Sequence, residues 1–548
     1  MNAVLGINAV FHDPAAALVV DGEIVAAAEE ERFTRRKHGK SAVPFATWEL
    51  PEQAARWCLA HAGIEPRDLR AVAYAYDPAL ARSVANWTPV GTVIEDGWER
   101  LRTLYAQRAP LFLRTALPGL DPARVRFVPH HVAHAASAYL ACPWDAATVL
   151  VVDGRGEIAS HLGGAVEKGL LEIASSQKLP HSLGLFYEAA TAHLGFQRAS
   201  DEYKVMALAA YGRPRMADAL RKSVRAVPLG FEVDAIRWDA LAPERAPGAP
   251  VEEVHADLAA SVQLRLEEVL LDIARDLFAH TRIPRLAMAG GVALNCVANA
   301  RLAAEGPFRE VFVQPAAGDA GTALGAALFL ARALGQSIRP MTTAALGPAW
   351  RDEEIEAWLQ AQRIAYQRPA ALADAAADAL AAGRIVGWFQ GRSEFGPRAL
   401  GHRSLLGDAR QPEMTERLNA VKGREEFRPV APLVLAERAA EIFEGKHPSP
   451  YMLFTHRVRP AWRARIPAAA HVDGSARVQT VDAADEPELA ALLRAFEART
   501  GTPVLINTSF NTGGRPMVDS PRDAVECFAT SAIDALVLGP FLLERAAA

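Results

Sequence analysis

The chain has 548 residues, of which 51% are hydrophobic and 22% charged, and its formal net charge is −5. This length exceeds what one ordinary hydrophobic core accommodates, so we expect two or three globular domains. The acidic balance gives no support to nucleic-acid binding, which would need a local basic patch.

The four cysteines, Cys58, Cys142, Cys296 and Cys527, show no CxxC spacing. A disulfide framework is therefore not expected, and reduced thiols in a cytosolic protein fit better. The N-terminal segment has no basic region, and no uncharged apolar run approaches membrane-spanning length. We predict a cytoplasmic protein with no membrane anchor.

The first segments predict strands around tight turns. VLGINAV (4–10) is strand-like, FHDPA turns the chain, and AALVVDGEIVAAAEEE predicts two more strands around an Asp-Gly hairpin. A helix is expected from about Pro51 to Gly63. The strand–acidic turn–strand pattern returns in ATVLVVDGRGEIASHLGGAV (147–166). This repetition suggests an internal duplication, as in actin-like and sugar-kinase-like ATPases, which hold a nucleotide between the copies.

Strand and helix patterns continue through the first domain. VRFV predicts a strand that leads to a helix beginning near His130, and 256–281 has strong helical periodicity. RLAMAGGVALNCVANARLA and EVFVQPAAGDAGTALGAALFLA each predict a strand, a Gly-containing turn and a helix. Periodicity lapses between about Gly335 and Glu353, and we place the domain boundary there, giving domains 1–345 and 346–548.

Two histidines and two aspartates form a candidate metal site. His130 and His134 are four residues apart on the predicted helix, so they share a face, whereas His131 points elsewhere. Asp153 and Asp319 each follow an apolar strand in a Gly-rich turn. A set of two histidines and two carboxylates suits iron, manganese or zinc. The alternative is a surface or capping histidine cluster.

Three Gly-containing turns are candidates for nucleotide binding: DGRG (153–156), AGGVALN (289–295) and GDAGTALG (318–325). Backbone N–H groups at such turns can hold phosphate oxygens. Taken singly, each turn is better explained by tight chain reversal. Together, and interleaved with the candidate metal ligands, they favour a nucleotide cleft. The sequence has no P-loop.

His12 in FHDPAA follows the first strand, where a neutral imidazole could accept a proton from an acceptor hydroxyl. A turn histidine bonded to Asp13 explains the same residue equally well. Lys37 and His38, in the basic run RFTRRKHGK, could join His12 at the cleft. Such a run is more often a solvated or anion-facing loop.

The second domain is distinguished by arginines beside glycine and proline turns. GWFQGRSEFGPRALGHRSLLGDAR (387–410), VKGREEFRPVAP (421–432), GSARVQT and VLINTSFNTGG carry most of them. Planar guanidinium groups bind phosphate or carbamate-like anions through paired hydrogen bonds. A solvated surface explains any single arginine, but the recurrence at constrained turns favours an anionic substrate.

Taken together, FHDPAAALVVDG, PHHVAHAASAY, VVDGRGE, AGGVALN, GDAGTALGAA, GPRALGHRSLL and LINTSFNTGGRP resemble the O-carbamoyltransferase family of the NodU/CmcH type. That family modifies antibiotics and nodulation factors. The resemblance spans nearly the whole chain. It implies an α/β fold, with a duplicated actin/sugar-kinase-like N-terminal domain that is similar to threonylcarbamoyl transferases. The C-terminal domain is expected to be a YrdC-like α/β domain.

The resemblance also implies the chemistry. ATP and carbamoyl phosphate would give carbamoyl-adenylate in the C-terminal domain, and the N-terminal domain would transfer the carbamoyl group to a small-molecule hydroxyl. A divalent metal is expected, Fe²⁺ first, with Mg²⁺ or Mn²⁺ as alternatives. The oligomeric state stays open, a homodimer included, as does O- or N-carbamoylation.

The family's functional positions carry over residue by residue. The metal ligands fall at His130, His134, Asp153 and Asp319, the general base at His12, and an acceptor-site lysine at Lys37. The nucleotide site falls at Gly154, Arg155, Gly156, Gly290, Gly291 and Asn295, and the carbamoyl phosphate site at Arg398, Lys422, Arg428, Arg477 and Asn507. Three alternatives remain: a tRNA threonylcarbamoylation enzyme, a sugar-kinase-like ATPase, and an inactive relative.

Overall fold

The structure is a computed structural model that describes residues 2–40, 48–81 and 96–545. The chain divides into two compact units, Met1–Thr342 and Thr343–Ala548. Among the described residues, no helix combines the length and the apolar character needed to cross a membrane.

The first unit begins with a mixed sheet of five described strands. These are β1 (Ala3–Asn8), β2 (Ala15–Val20), β3 (Glu23–Glu29), β4 (Ala71–Tyr74) and β5 (Val125–Phe127). Their order is β3-β2-β1-β4-β5. The β1/β2 and β2/β3 pairs are antiparallel, whereas β4 lies parallel to both β1 and β5. The hairpin between β2 and β3 turns at Asp21 and Gly22, both with positive φ, as the Asp-Gly pair predicts.

A second sheet in the same unit repeats this arrangement. Its strands are β6 (Ala146–Val152), β7 (Ala159–Glu167), β8 (Leu170–Lys178), β11 (Arg285–Ala289) and β12 (Glu310–Val313). The order β8-β7-β6-β11-β12 and the strand directions match the first sheet position by position. The predicted duplication is therefore confirmed, and the first unit has the actin/sugar-kinase-like fold. A separate hairpin is formed by β9 (Val224–Val227) and β10 (Gly230–Val233).

Helices accompany both sheets. Those described in the first unit are α1 (Glu31–Thr34), α2 (Glu52–His61), α3 (Asp96–Ala116), α4 (His130–Tyr139), α5 (Leu183–His193), α6 (Glu202–Leu208), α7 (Ala217–Ser223), α8 (Glu253–Thr281), α9 (Cys296–Glu305) and α10 (Ala320–Ala333). Short 3₁₀ turns lie at Pro66–Asp68, Pro122–Arg124, Ala209–Tyr211, Trp238–Ala240 and Gly291–Leu294. The helix expected over 51–63 is α2, shorter by one or two residues at each end.

Helices α4 and α10 pack together between the two sheets. α10 lies on β1 and β2, whereas α4 lies on β6 and β11. Two glycines permit close approach, one between α10 and α4 and the other between β1 and α10. A Cβ on Gly325 would lie 1.8 Å from the carbonyl oxygen of Ala133, and one on Gly6 would lie 1.9 Å from that of Ala323. The buried site described below lies at the amino ends of these two helices.

The second unit is built on a seven-stranded mixed sheet in the order β18-β15-β19-β14-β13-β20-β21. Its strands are β13 (Val386–Phe389), β14 (Arg403–Asp408), β15 (Ala431–Leu435), β18 (Gln479–Val481), β19 (Val504–Ser509), β20 (Ala535–Leu538) and β21 (Phe541–Glu544). A separate pair is formed by β16 (His456–Arg457) and β17 (Ser475–Ala476).

Helices cover this sheet as well. They are α11 (Asp352–Ala361), α12 (Leu372–Ala381), α13 (Met414–Val421), α14 (Ala436–Ile442), α15 (Pro460–Arg463), α16 (Pro487–Thr500) and α17 (Pro521–Thr530), with a 3₁₀ turn at Pro467–Ala469. One apolar cluster includes Phe389, Ile506 and Leu536, and another includes Trp388, Leu505 and Val537. Because neighbouring strand residues contribute to opposite clusters, the sheet is covered on both faces, and the predicted α/β class is confirmed.

Candidate metal and transfer site

Four buried side chains meet at the centre of the first unit. His130 begins α4 and His134 follows one turn later, so both imidazoles lie on one face of the helix. Asp153 directly follows β6, and Asp319 directly precedes α10. The duplication therefore brings together the ends of elements from both copies of the fold.

The distances between the ligand atoms suit one shared metal ion. Nε2 of His130 lies 3.3 Å from Asp153 and 3.5 Å from Asp319. Nε2 of His134 lies 3.6 Å from Asp153 and 3.5 Å from Asp319. Tetrahedral ligands that each lie about 2.1 Å from a metal are separated by about 3.4 Å. The four atoms thus have the spacing of a coordination shell.

Hydrogen bonding within the protein leaves part of this cluster unsatisfied. Among the described residues, neither ring nitrogen of His134 has a hydrogen-bond partner, nor does Oδ2 of Asp319, although all three atoms are buried. Buried polar atoms without partners are costly, about 1–3 kcal/mol each. Nitrogen and carboxylate donors of this kind bind divalent transition metals, so the residues fit such an ion.

Opposite charges within the cluster shift the pKa values of its histidine and aspartate side chains. Burial lowers the pKa of His130, but Asp153 and Asp319 outweigh it and hold that pKa well above its usual value. Burial raises the pKa of Asp153, but His134 and His130 outweigh it and hold that pKa well below its usual value. Both carboxylates are consequently ionised, and a divalent cation bound between them would take the place of the proton on His130, since an imidazole ligand must be neutral.

The Gly290-Gly291 turn supports Asp153. The N–H of Gly291 donates to Oδ1 of Asp153 over 2.9 Å. Gly290 has a φ of +94°, and a Cβ there would lie 2.2 Å from the carbonyl oxygen of Val152. This turn therefore needs glycine to approach the end of β6 and to orient one candidate metal ligand.

The other residues predicted to hold a nucleotide have varied surroundings. Gly156 packs against the ring of His131, where a Cβ would approach to 2.7 Å, whereas Gly154 has open space beside it. Arg155 lies 3.2 Å from Glu99. Asn295 caps α9 by accepting the N–H of Ala298. The structure gives packing or capping roles to Gly156 and Asn295, and nucleotide binding by the set stays a prediction.

His12 lies beside the four candidate metal ligands, in a cleft whose walls include Phe11, Gly154, Arg155 and Glu188. Its Nδ1 is 2.9 Å from Asp13, and its Nε2 is 3.9 Å from Oδ2 of Asp319.

Burial lowers the pKa of His12, but Asp319 and Asp13 outweigh it and raise the pKa to about 10. The imidazole is half-exposed, with 39% of the side chain accessible. A small molecule that enters the cleft can therefore contact the imidazole at the edge of the candidate metal site.

Lys37 and Lys40 differ in surroundings. Lys37 is 45% exposed, with Nζ 3.6 Å from Glu31. Lys40 is buried, donates to the carbonyl oxygen of Ala9 over 2.7 Å, and has its pKa lowered to about 7 by burial. Sequence reasoning passed over Lys40 because a basic run is typical of a solvated loop. The acceptor-site role of Lys37 stays a prediction.

In the second unit, Lys422 directly follows α13, and its side chain contacts the NTSFN segment. Its ammonium donates to the carbonyl oxygen and the hydroxyl of Ser509, over 2.5 and 3.0 Å, and to the side chain of Asn511. Arg428 lies 3.5 Å from Glu425. Lys422 is therefore fixed by the end of β19, where buried Asn507 also lies.

Asn507 joins three of the sequence segments singled out above. Its Nδ2 donates to the carbonyl oxygen of Ala399 in GPRALGH and to Oε1 of Gln479 in ARVQT, over 3.1 and 2.8 Å. Gln479 in turn donates to the carbonyl oxygen of Leu400 over 2.7 Å. The segments that carry Arg398 and Arg477 thus meet at β19, which places these predicted residues in one neighbourhood. Their binding of carbamoyl phosphate stays a prediction.

Two buried charges that shape this neighbourhood were missed. Glu394 accepts the N–H groups of Leu400, His402 and Arg403, over 2.7, 3.0 and 3.2 Å. The guanidinium of Arg403 lies 3.6 Å above the ring of Phe389 and donates to surrounding backbone carbonyls. The Arg/Gly pattern of the segment indicated a ligand site. It did not indicate that Glu394 and Arg403 would stabilise the backbone of the segment.

Comparisons with known proteins agree with this architecture. The family model described as carbamoyltransferase N-terminus matches residues 3–328, and the one described as carbamoyltransferase C-terminus matches residues 377–545. The chain therefore belongs to the carbamoyltransferase family, as the sequence motifs predicted. It is accordingly a carbamoyltransferase, with a carbamoyl donor and an acceptor as substrates.

Individual relatives span most of the chain. It is 38% identical to the uncharacterized protein sll1178 of Synechocystis sp., over 100% of this chain and 97% of that protein. It is 39% identical to the nodulation protein NolNO of Sinorhizobium fredii, over 98% of this chain and 80% of that protein. Among solved structures, HypF of T. kodakarensis matches with a TM-score of 0.36 and 14% identity, over 61% of this chain and 48% of that one.

Proposed function

We propose that the chain is an ATP-dependent O-carbamoyltransferase that takes carbamoyl phosphate as donor and a small-molecule hydroxyl as acceptor. The observation that carries this proposal is the position of His12 at a cleft, 3.9 Å from a carboxylate of the cluster that fits a metal. There, His12 in its neutral form would accept a proton beside groups that can hold the electrophile. We also propose that the protein has no nucleic-acid partner, in keeping with the net charge of −5, and that it is cytoplasmic, in keeping with its four cysteines being free thiols.

Activation of the carbamoyl group is assigned to the second unit. Carbamate is a poor electrophile because its nitrogen donates into the carbonyl, and adenylation supplies a leaving group. Carbamoyl phosphate, ATP and water would give carbamoyl-adenylate, pyrophosphate and phosphate. Lys422, fixed at the end of β19, and Arg398 and Arg477, on segments that meet there, supply positive charge for the anionic substrates.

Transfer is assigned to the first unit. The acceptor hydroxyl would enter the cleft beside His12, whose Nε2 would take the hydroxyl proton as oxygen attacks the carbamoyl carbon. The new C–O bond replaces the bond to the adenylate phosphate, and AMP leaves. General-base assistance of this kind contributes on the order of 100-fold or more. The mixed anhydride hydrolyses readily, so the site must exclude water.

His130, His134, Asp153 and Asp319 would hold the metal, with Fe²⁺ proposed first and Mg²⁺ or Mn²⁺ as alternatives. When bound, a divalent ion supplies positive charge that offsets the two carboxylates, favours neutral His12 and polarises the group under attack. The Gly154–Gly156 turn, whose first glycine faces open space, is proposed to contact the nucleotide in the same cleft.

The first experiment supplies purified protein with ATP, carbamoyl phosphate and a divalent metal, and measures carbamoyl-AMP and pyrophosphate. Arg398→Ala should abolish both products, and Arg522→Ala on an exposed position of α17 should leave them unchanged. Absence of both products from the unmodified protein, or full activity of Arg398→Ala, would contradict the donor assignment.

The second experiment separates the two half-reactions. His12→Ala should retain adenylate formation and lose transfer to an acceptor alcohol, whereas His280→Ala, on the exposed end of α8, should retain both. Equal loss of both half-reactions in His12→Ala would show that His12 is not the base for transfer. His134→Ala should lower the metal content measured by elemental analysis, and an unchanged content would remove it as a ligand.

A further inference from the structure

The carboxylate of Asp13 is shared by two imidazoles. Oδ2 lies 2.9 Å from Nδ1 of His12, and Oδ1 lies 2.9 Å from Nδ1 of His38. The other ring nitrogen of His38 lies 2.8 Å from the hydroxyl of Ser200. A chain of hydrogen bonds thus runs from the edge of the metal cluster, through His12 and Asp13, to the 195–201 loop.

The backbone is held in uncommon conformations to make this arrangement. Asp13 has a φ of +47° and His38 a φ of +61°, in the left-handed region that side chains other than glycine rarely adopt. Fully buried Asn8 holds the first turn by donating to the carbonyl oxygens of His12 and Asp13, over 3.0 and 2.9 Å. Glu31 holds the second by accepting the N–H of His38 over 2.8 Å. Such strain persists where surrounding contacts determine the conformation, and it is concentrated at functional sites.

The chemistry of the shared carboxylate fixes the orientation of both rings. His38 and His12 outweigh the effect of burial and hold the pKa of Asp13 well below its usual value, so the carboxylate is ionised and only accepts hydrogen bonds. Both Nδ1 atoms must then carry the hydrogen. Nε2 of neutral His12 is consequently left as the proton acceptor, and it is the atom nearer Asp319.

We propose that Asp13 is a positioning residue for His12, and that His38 holds Asp13 in place through its second oxygen. The inference rests on the proposed function, since it concerns His12 as the base for transfer. An aspartate that orients a catalytic imidazole through Nδ1 acts by selecting the tautomer and fixing the ring, and its replacement by asparagine costs up to about 10⁴-fold in kcat in a serine protease.

A metal site formed by Asp13, Glu31 and His38 is the competing interpretation, because their ligand atoms lie within 4.8 Å of one another. Hydrogen bonds account for the groups, however. His38 uses both ring nitrogens and its N–H, and Glu31 accepts that N–H while lying 3.6 Å from Lys37. These contacts favour a fixed hydrogen-bond network.

The test compares Asp13→Asn with a matched pair at His38 in the full-length, metal-loaded protein. Asp13→Asn should lower kcat for transfer at least about 100-fold, with the acceptor KM within about 3-fold and adenylate formation unchanged. In His38→Asn, the amide nitrogen takes the place of Nδ1 and can still donate to Asp13. In His38→Gln it takes the place of Nε2 and reaches toward Ser200 instead. We expect His38→Asn to retain at least about 10-fold more transfer activity than His38→Gln.

Each outcome has a defined meaning. The inference is overturned if Asp13→Asn transfers normally while His12→Ala does not, or if His38→Gln equals or exceeds His38→Asn. If His12→Ala itself transfers normally, the proposed base is wrong, which is a separate failure. Should Asp13→Asn fail to fold, the His38 pair decides. Loss of bound metal in both His38 variants, with the His130 cluster still occupied, would favour the competing metal site.

Discussion

Gly325→Ala is expected to disturb the candidate metal site from a distance. The added methyl group would lie 1.8 Å from the carbonyl oxygen of Ala133 on α4. Carbon–oxygen contacts require about 3.3 Å, so α4 and α10 must separate locally by roughly 1.5 Å. The obstructing atom belongs to the backbone and cannot rotate away. We therefore expect a cost near the upper end for overpacking, about 3 kcal/mol.

The same displacement would move the ligands apart, because α4 carries His130 and His134 while Asp319 precedes α10. Metal–ligand distances tolerate only about 0.2 Å. Gly325→Ala should lower metal affinity at least about 10-fold and the Tm by about 6 °C. Elemental analysis after dialysis at limiting metal, together with calorimetry, tests both effects. Ala333→Ser, at an exposed position of α10, serves as the control. Normal metal content and Tm in Gly325→Ala would refute the reasoning.

Three further predictions concern other positions. Burial raises the pKa of Glu30 from 4.5 to about 7, so the folded protein binds more protons than the unfolded chain between these values. Its contribution to stability therefore falls, by up to about 3 kcal/mol, as pH rises through that range, and Glu30→Gln should flatten this dependence in urea unfolding at pH 5 and 8. Lys422→Ala should abolish pyrophosphate release from ATP and carbamoyl phosphate, and retained release would contradict its assignment. Arg403→Lys should destabilise the protein by about 3 kcal/mol in urea unfolding, since a lysine cannot reproduce the guanidinium that lies over Phe389, and unchanged stability would contradict that role.

The parts of the fold that could be predicted from the sequence are those that depend on local residue patterns. Strand periodicity and the Asp-Gly turn predicted β2 and β3, and the HxxxH spacing placed two imidazoles on one face of α4. The duplication was faint in the residues because the copies share few side chains. It is plain in the structure because strand order and direction repeat.

The features of the site that could not be predicted from the sequence depend on contacts between distant segments of the chain. Nothing near Lys40 indicates that its ammonium will be buried and donate to Ala9, directly after β1, and nothing in FHDPAA indicates that His38 will occupy the second oxygen of Asp13. The residues around Gly156 suggest a phosphate turn, yet its lack of a side chain admits the ring of His131. In each case the decisive partner lies too far along the chain for spacing to reveal it.

Both copies of the duplicated fold contribute side chains to the ligand cluster, and this has a thermodynamic consequence. An ion that binds only when the two copies are held together adds its binding free energy to the closed arrangement, by about 2.7 kcal/mol at 100 times its Kd. Metal supply would then govern how often the cleft between the copies opens. The four side chains proposed to bind the metal would then also stabilise the closed arrangement of the two copies, to an extent set by the free metal concentration.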